Sequence, residues 1–226
     1  MRIRKKPWAP KELAENPLII KNPEPHKILQ NFAKNQPVHM EIGCGKGRFI
    51  SQTAAQNPNI NYIAVEREEI VLAVAARLSR QMEGSLIFLN LDATNLTDYF
   101  LPGEISRLYI NFCDPWHRRK KWAKRRLTHL NFLAMYESLE ISEIFFKTDN
   151  RILFEFSINQ FSESGWIMKN VSLDLHNSNF EDNVMTEYEE KFGQLGPIYR
   201  LEAYSSLTNK RRDFYDNKGT CATDAR

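Results

Sequence analysis

From Val38 onward, short apolar runs alternate with stretches whose apolar residues recur at helical spacing. Val38 to Ile42, Tyr62 to Glu66, Leu86 to Leu91, Leu108 to Phe112, Glu143 to Lys147, Trp166 to Leu175 and Ile198 to Tyr204 read as strands. Each is short, rich in β-branched or aromatic side chains, and bounded by turn residues. Between them Phe49, Ile50, Thr53 and Ala54 mark one helix, and Ile70, Val71, Val74, Ala75 and Leu78 mark a second within Glu68 to Met82. Leu127 to Leu139 and Ile152 to Phe161 predict two more, with a helical turn over Leu96 to Phe100 and a helix after Thr186. Strands alternating with helices predict an α/β fold, a mainly parallel sheet with helices on both faces.

Ahead of Val38 the texture differs. Pro7, Pro10, Pro17, Pro23, Pro25 and Pro37 separate short apolar clusters, with one helix expected near His26 to Ala33. Residues 1–36 therefore read as a basic arm packed on the domain, whose Arg/Lys cluster either touches RNA phosphates or frays. Residues 37–205 form the domain and 206–226 a polar tail; from Lys210 the tail lacks periodicity and is expected to be disordered.

Composition narrows the class. A chain of 226 residues with 42% hydrophobic and 26% charged content suits one globular domain with a sizeable core. No apolar run reaches the roughly 18 residues of a membrane span, and no apolar segment follows the basic N-terminus to make a secretory signal. Cys44, Cys113 and Cys221 are scattered without a CxxC pair, which argues against a disulfide framework and a zinc site, and for a reducing cytoplasm. No metal site is expected.

Charge changes the picture more. Seven of the nine residues from Arg118 to Arg126 are Lys or Arg, although the whole chain carries only +3, so the remainder is net acidic. This run follows a strand that breaks at Asp114-Pro115-Trp116, since Pro cannot continue a central ladder. An acid, a proline and an aromatic ring at a strand tip, followed by a cationic stretch, suit a catalytic mouth facing a nucleic acid; alone, such a run is more often a solvated loop.

The acids supply the context. Glu41, Glu66, Asp92, Asp114 and Asp149 each fall at or just after the carboxyl end of a successive predicted strand, the edge where ligands bind in such sheets. Gly43, Gly45 and Gly47 follow the first strand as G-x-G-x-G, and Arg48 stands where a dinucleotide fingerprint needs its third glycine. Glycines admit close approach of a ligand to the backbone. A carboxylate beside them suits a cation and repels a pyrophosphate, so the loop favours S-adenosyl-L-methionine over NAD. Glu66 is placed for ribose hydroxyls and Asp92 for the adenine amine.

Glu41 to Gly47, Glu66, Asp92, Phe112-Cys113-Asp114-Pro115-Trp116, the basic run, Phe146-Lys147-Thr148-Asp149-Asn150 and Thr186-Glu187-Tyr188-Glu189 together resemble the bacterial tRNA (guanine-N7-)-methyltransferase family, in register from about residue 38 to 204. The resemblance implies a Rossmann-like class I methyltransferase, with a mostly parallel seven-stranded sheet and an antiparallel last strand. It implies S-adenosyl-L-methionine as methyl donor and the variable-loop guanine of tRNA as acceptor. Glu41, Glu66, Asp92 and Asp114 match donor-pocket positions, while Asp149, Thr186, Glu187, Tyr188 and Glu189 match substrate-contacting ones; Arg118 is expected at the substrate too, keeping the charge but not the point-like ammonium of the family's residue. The family usually has Pro then Lys where this chain has His117 and Arg118.

Asp114 is the expected catalytic carboxylate. Trp116 either stacks on the base or plugs the strand end, and the Thr186 turn either meets the substrate or simply caps a helix. Arg119, Lys120, Lys121, Lys124, Arg125 and Arg126 are expected to grip RNA phosphates. Competing readings are a nucleic-acid methyltransferase acting on an exocyclic amine, a non-catalytic RNA-binding module and an NAD oxidoreductase. Monomer and homodimer stay open, with no obligate protein partner and no membrane expected.

Overall fold

The computed structural model describes residues 5–82, 84–116 and 120–206, with Lys120 by its backbone alone. Among the described residues eight strands form one sheet: β1 (Ile19–Ile20), β2 (Val38–Ile42), β3 (Asn61–Val65), β4 (Leu86–Leu89), β5 (Arg107–Asn111), β6 (Glu143–Thr148), β7 (Ile167–Ser172) and β8 (Tyr199–Tyr204). Their order is β1-β4-β3-β2-β5-β6-β8-β7. All pairings are parallel except those of β8, which runs antiparallel to both β6 and β7. The seven expected strands are present, and the last is the antiparallel one.

The eighth strand comes from the N-terminal segment. Ile19 and Ile20 pair with Phe88 and Leu89, covering an otherwise open edge of β4. A helix, α1 (Ala9–Glu15), precedes it, with Pro10 in its first turn, where a missing N–H costs nothing. The prolines of this segment thus open a helix as well as interrupt one. The helix expected near His26 is only a 3₁₀ turn, Ile28–Asn31.

Period-2 alternation sends the strand side chains to two cores. Met40, Ile42, Ile63, Val65, Leu108, Ile110, Ile144 and Phe146 meet α4 (Leu96–Tyr99), α5 (Leu130–Ser138) and α6 (Arg151–Glu163) on one face. Tyr62, Ala64, Phe88 and Tyr109 meet α2 (Arg48–Gln56) and α3 (Glu69–Leu78) on the other, along with Leu18 and Ile19. Because β2 to β6 are parallel, their carboxyl ends share one edge. The short helix α7 (Glu187–Phe192) stands beside that edge.

Candidate active site

At that edge a cavity of about 640 Å³ opens between the ends of β2, β3, β4 and β5. Gly43, Glu66, Asp92 and Asp114 line it together, with Phe112, Trp116, Lys124 and Arg125 on the Asp114 side. Three of the four acids assigned to a methyl donor therefore share one space.

Glu66, just past β3, accepts hydrogen bonds from the Gly45 N–H at 3.1 Å and the Glu68 N–H at 3.0 Å. It therefore ties the glycine loop to the end of β3. Burial raises its pKa, against the pull of those N–H groups. Asp92 caps a short turn, accepting from the Thr94 N–H at 2.9 Å and the Thr94 hydroxyl at 2.7 Å. The Thr94 N–H is the main reason its carboxyl titrates below the usual range.

Glu41 departs from expectation, because it lies beneath the loop instead of lining the cavity. It is 2% exposed and accepts from the Asn111 amide at 2.9 Å, while its other carboxylate oxygen has no hydrogen-bond partner. Burial pushes its pKa up to about 8, with Asn111 opposing. One unpartnered carboxylate oxygen under a glycine loop is a place that a cationic group would satisfy.

The glycines divide by role. Gly43 and Gly45 hold φ of 74° and 57°, and a Cβ on either would enter open space. Gly47 belongs instead to the packing, since a Cβ there would meet the Ala75 Cβ at 3.0 Å and the Phe88 ring at 3.3 Å. Gly43 and Gly45 leave bare backbone at the loop, and the acids Glu41, Glu66 and Asp92 around it suit a cationic, phosphate-free ligand such as S-adenosyl-L-methionine in charge.

Asp114 sits on a corner bounded by two left-handed residues, Phe112 at φ 50° and Trp116 at φ 45°. Each such non-glycine conformation costs about 1–3 kcal/mol and needs its surroundings to hold it. Asp114 is exposed and makes no hydrogen bond or ion pair with any described residue. Among the described residues it is thus an acid of the cavity without a partner.

The substrate-assigned residues form a second group beside the first. Asp149 accepts from the Tyr188 hydroxyl at 2.8 Å, and the Tyr188 ring lies 5.2 Å from that of Phe112. Thr186 caps α7 in a reciprocal box with Glu189, so the helix-capping reading of that turn is realised. Glu187 pairs with Lys46 of the glycine loop at 2.5 Å and with Lys191 at 2.7 Å. Glu190 pairs with Arg48.

Glu189 is committed to the protein's own interior. It is 1% exposed and accepts from Lys147 at 2.8 Å, Asn183 at 2.8 Å and the His176 ring at 2.9 Å. Burial opposes its charge, but these partners outweigh it and hold the carboxyl below its usual range. Lys147 also donates to Asn183 Oδ1 and the Val184 carbonyl, anchoring residues 183–189 on the sheet. Sequence reasoning gave no role to Lys147 or Asn111, although a polar residue at the end of an apolar strand is a visible signal.

The basic run also divides. Lys121, Lys124 and Arg125 are exposed, the last two on the cavity wall, and the Arg125 guanidinium lies 5.0 Å from the Trp116 ring. Arg126 is buried, so the expectation that it grips phosphate fails for want of solvent access. Arg118, Arg119 and the Lys120 side chain lie outside the described residues.

A second cavity, about 560 Å³, lies on the opposite face between α2 and residues 180–184. Its cations already have partners: Arg107 with Glu143, Lys147 with Glu189 and Arg200 with Glu202. Among the described residues no cluster suits a metal and no helix is long and apolar enough to cross a membrane.

Residues 35–201 match the family model described as "Putative methyltransferase". A tRNA (guanine-N(7)-)-methyltransferase of Bacillus subtilis is 52% identical over 209 residues, 89% of this chain and 98% of that protein. Its counterpart in Listeria monocytogenes is 52% identical over 212 residues, covering 90% and 98%. Among solved structures, the 16S rRNA methyltransferase KamB superposes with TM-score 0.55 at 14% identity, over 76% of this chain and 90% of that one. That likeness speaks to the fold, a class I methyltransferase sheet.

Proposed function

The chain belongs to the tRNA (guanine-N(7)-)-methyltransferase family, and we propose that it carries out this reaction through Asp114, on N7 of the guanine at tRNA position 46. It is an S-adenosyl-L-methionine-dependent tRNA methyltransferase, and the cytoplasm is the compartment we assign to it.

When bound, S-adenosyl-L-methionine supplies a sulfonium methyl group and brings an ammonium on its methionine part. Glu41 provides the counter-charge for that ammonium. Gly43 and Gly45 admit close backbone approach, while Glu66 and the Asp92 oxygen that faces Arg67 at 4.0 Å accept hydrogen bonds from hydroxyl or amine groups.

Guanine N7 offers an in-plane lone pair, so no base is needed to activate it. The protein's task is alignment, which supplies roughly 7–11 kcal/mol in well-oriented systems. Positive charge grows on the imidazole ring as the methyl transfers, and Asp114 stabilises it from a fixed position. The same carboxylate accepts from the guanine N1–H or amino group, which favours guanine over adenine. Trp116 offers a stacking face worth about 1–3 kcal/mol. A base stacked inside tRNA must be drawn out to reach this wall, and exposed Lys121, Lys124 and Arg125 hold the neighbouring phosphates.

The observation that carries this reading is one cavity shared by Glu66, Asp92 and an uncommitted Asp114, with exposed cations on its rim. The test mixes labelled S-adenosyl-L-methionine with unmodified tRNA and maps the product by chemical cleavage at N7-methylguanosine. Asp114→Ala is expected to abolish turnover while tRNA binding persists; near-normal turnover would remove Asp114 from the mechanism.

A further inference from the structure

Arg126 differs from every other described member of the basic run. It is 8% exposed, and its guanidinium lies over the Phe156 ring of α6 at 4.3 Å. Its Nε–H donates to the carbonyl of Pro115 at 2.8 Å. Pro115 is the residue between Asp114 and left-handed Trp116, so this bond reaches the strained corner itself. At the other end of the corner the Phe112 N–H donates to the Lys147 carbonyl at 2.9 Å.

We propose that Arg126 is a positioning residue for the methyl-transfer step: its guanidinium, braced on Phe156, pins the Pro115 carbonyl and so fixes where the Asp114 carboxylate stands. It does not dock tRNA. The inference rests on the catalytic role proposed for Asp114. The physical case is that a corner with two unfavourable backbone conformations relaxes unless something outside it holds it; ring contacts reach Phe112 and Trp116, and among the described residues Arg126 is the side chain that hydrogen-bonds the corner's backbone. A guanidinium suits the task because its plane stacks on an aromatic face while an edge N–H donates, which an ammonium cannot reproduce.

The experiment compares kcat, KM for tRNA and the salt dependence of tRNA binding in wild type, Arg126→Ala, Arg126→Lys and Lys121→Ala. Arg126→Ala is expected to lower kcat about 10²-fold, the scale of a 1 Å misplacement, with KM and the log–log salt slope unchanged. Arg126→Lys keeps the charge but loses the stacked plane, so its kcat should also fall, to a value between those of wild type and Arg126→Ala. Lys121→Ala should reduce the salt slope by about one unit. If Arg126→Ala reduces the slope as Lys121→Ala does while kcat holds, Arg126 is a phosphate contact and the proposal is overturned. If the alanine variant does not fold, Arg126→Lys decides: full kcat refutes positioning, and a fall in kcat at constant KM and slope supports it. Wild type and Asp114→Ala are assayed in parallel, because an active Asp114→Ala would overturn the catalytic reading itself and not the Arg126 geometry.

Discussion

The Tyr188 hydroxyl donates to Asp149 across 2.8 Å while its ring packs 5.2 Å from Phe112, so one side chain of α7 touches the ends of both β5 and β6. Burial first, and then the Asp149 carboxylate, raise the phenol pKa to about 12, which keeps it a donor throughout the working range. Tyr188→Phe retains the ring and loses the hydrogen bond. A neutral bond is worth about 0.5–1.5 kcal/mol and one to a charged group about 1.5–3, so KM for tRNA is expected to change several-fold. Tyr188→Ala should cost more than Tyr188→Phe in steady-state assays; equal losses would exclude the ring contact.

Lys147 and Glu189 form a buried ion pair that anchors the α7 turn. Breaking such a pair on one side strands a charge and costs about 3–5 kcal/mol. Glu189→Gln and Lys147→Met should each lower the denaturant midpoint markedly. The double variant Lys147→Met/Glu189→Leu should recover part of the loss.

Glu41 predicts a pH dependence for methyl-donor binding. With its pKa near 8 in the free protein, Glu41 is largely protonated at neutral pH, and an ammonium favours its ionised form. Binding therefore releases a proton, and affinity for S-adenosyl-L-methionine should rise with pH up to about 8 and level off above. Calorimetry in buffers of different ionisation heat measures that proton. In Glu41→Gln the release should vanish and affinity should fall.

Gly43 and Gly47 separate binding from stability. Alanine at either meets left-handed strain of about 1–2 kcal/mol. At Gly47 it also collides with Ala75 and Phe88, so Gly47→Ala should show the larger drop in melting temperature. At Gly43 the methyl enters the cavity, so Gly43→Ala should melt closer to wild type and bind donor more weakly.

Much of this was legible in the chain. Seven strands announced themselves as short apolar runs, and because parallel strands end at one edge, the acids at their carboxyl ends could be expected on a common rim, where Glu66, Asp92 and Asp114 line one cavity while Glu41 lies buried beneath it. What stayed hidden was decided by side-chain direction. Nothing in the run from Arg118 to Arg126 distinguishes Arg126, because its burial depends on where Phe156 and Pro115 stand in space. Glu189 was expected at the substrate from the family likeness, and its burial stayed hidden because its partners Lys147 and His176 lie elsewhere in the sequence. Strand β1 has only two residues, too few for any periodic signal.

That two-residue strand has a consequence for how the chain is assembled. Ile19 and Ile20 leave the ribosome long before Phe88 and Leu89 exist, so the outermost ribbon of the sheet cannot close until the interior has been laid down. This stretch of the enzyme is thus required to wait for its seat. Until it docks, the flank of β4 is an open invitation to neighbouring chains.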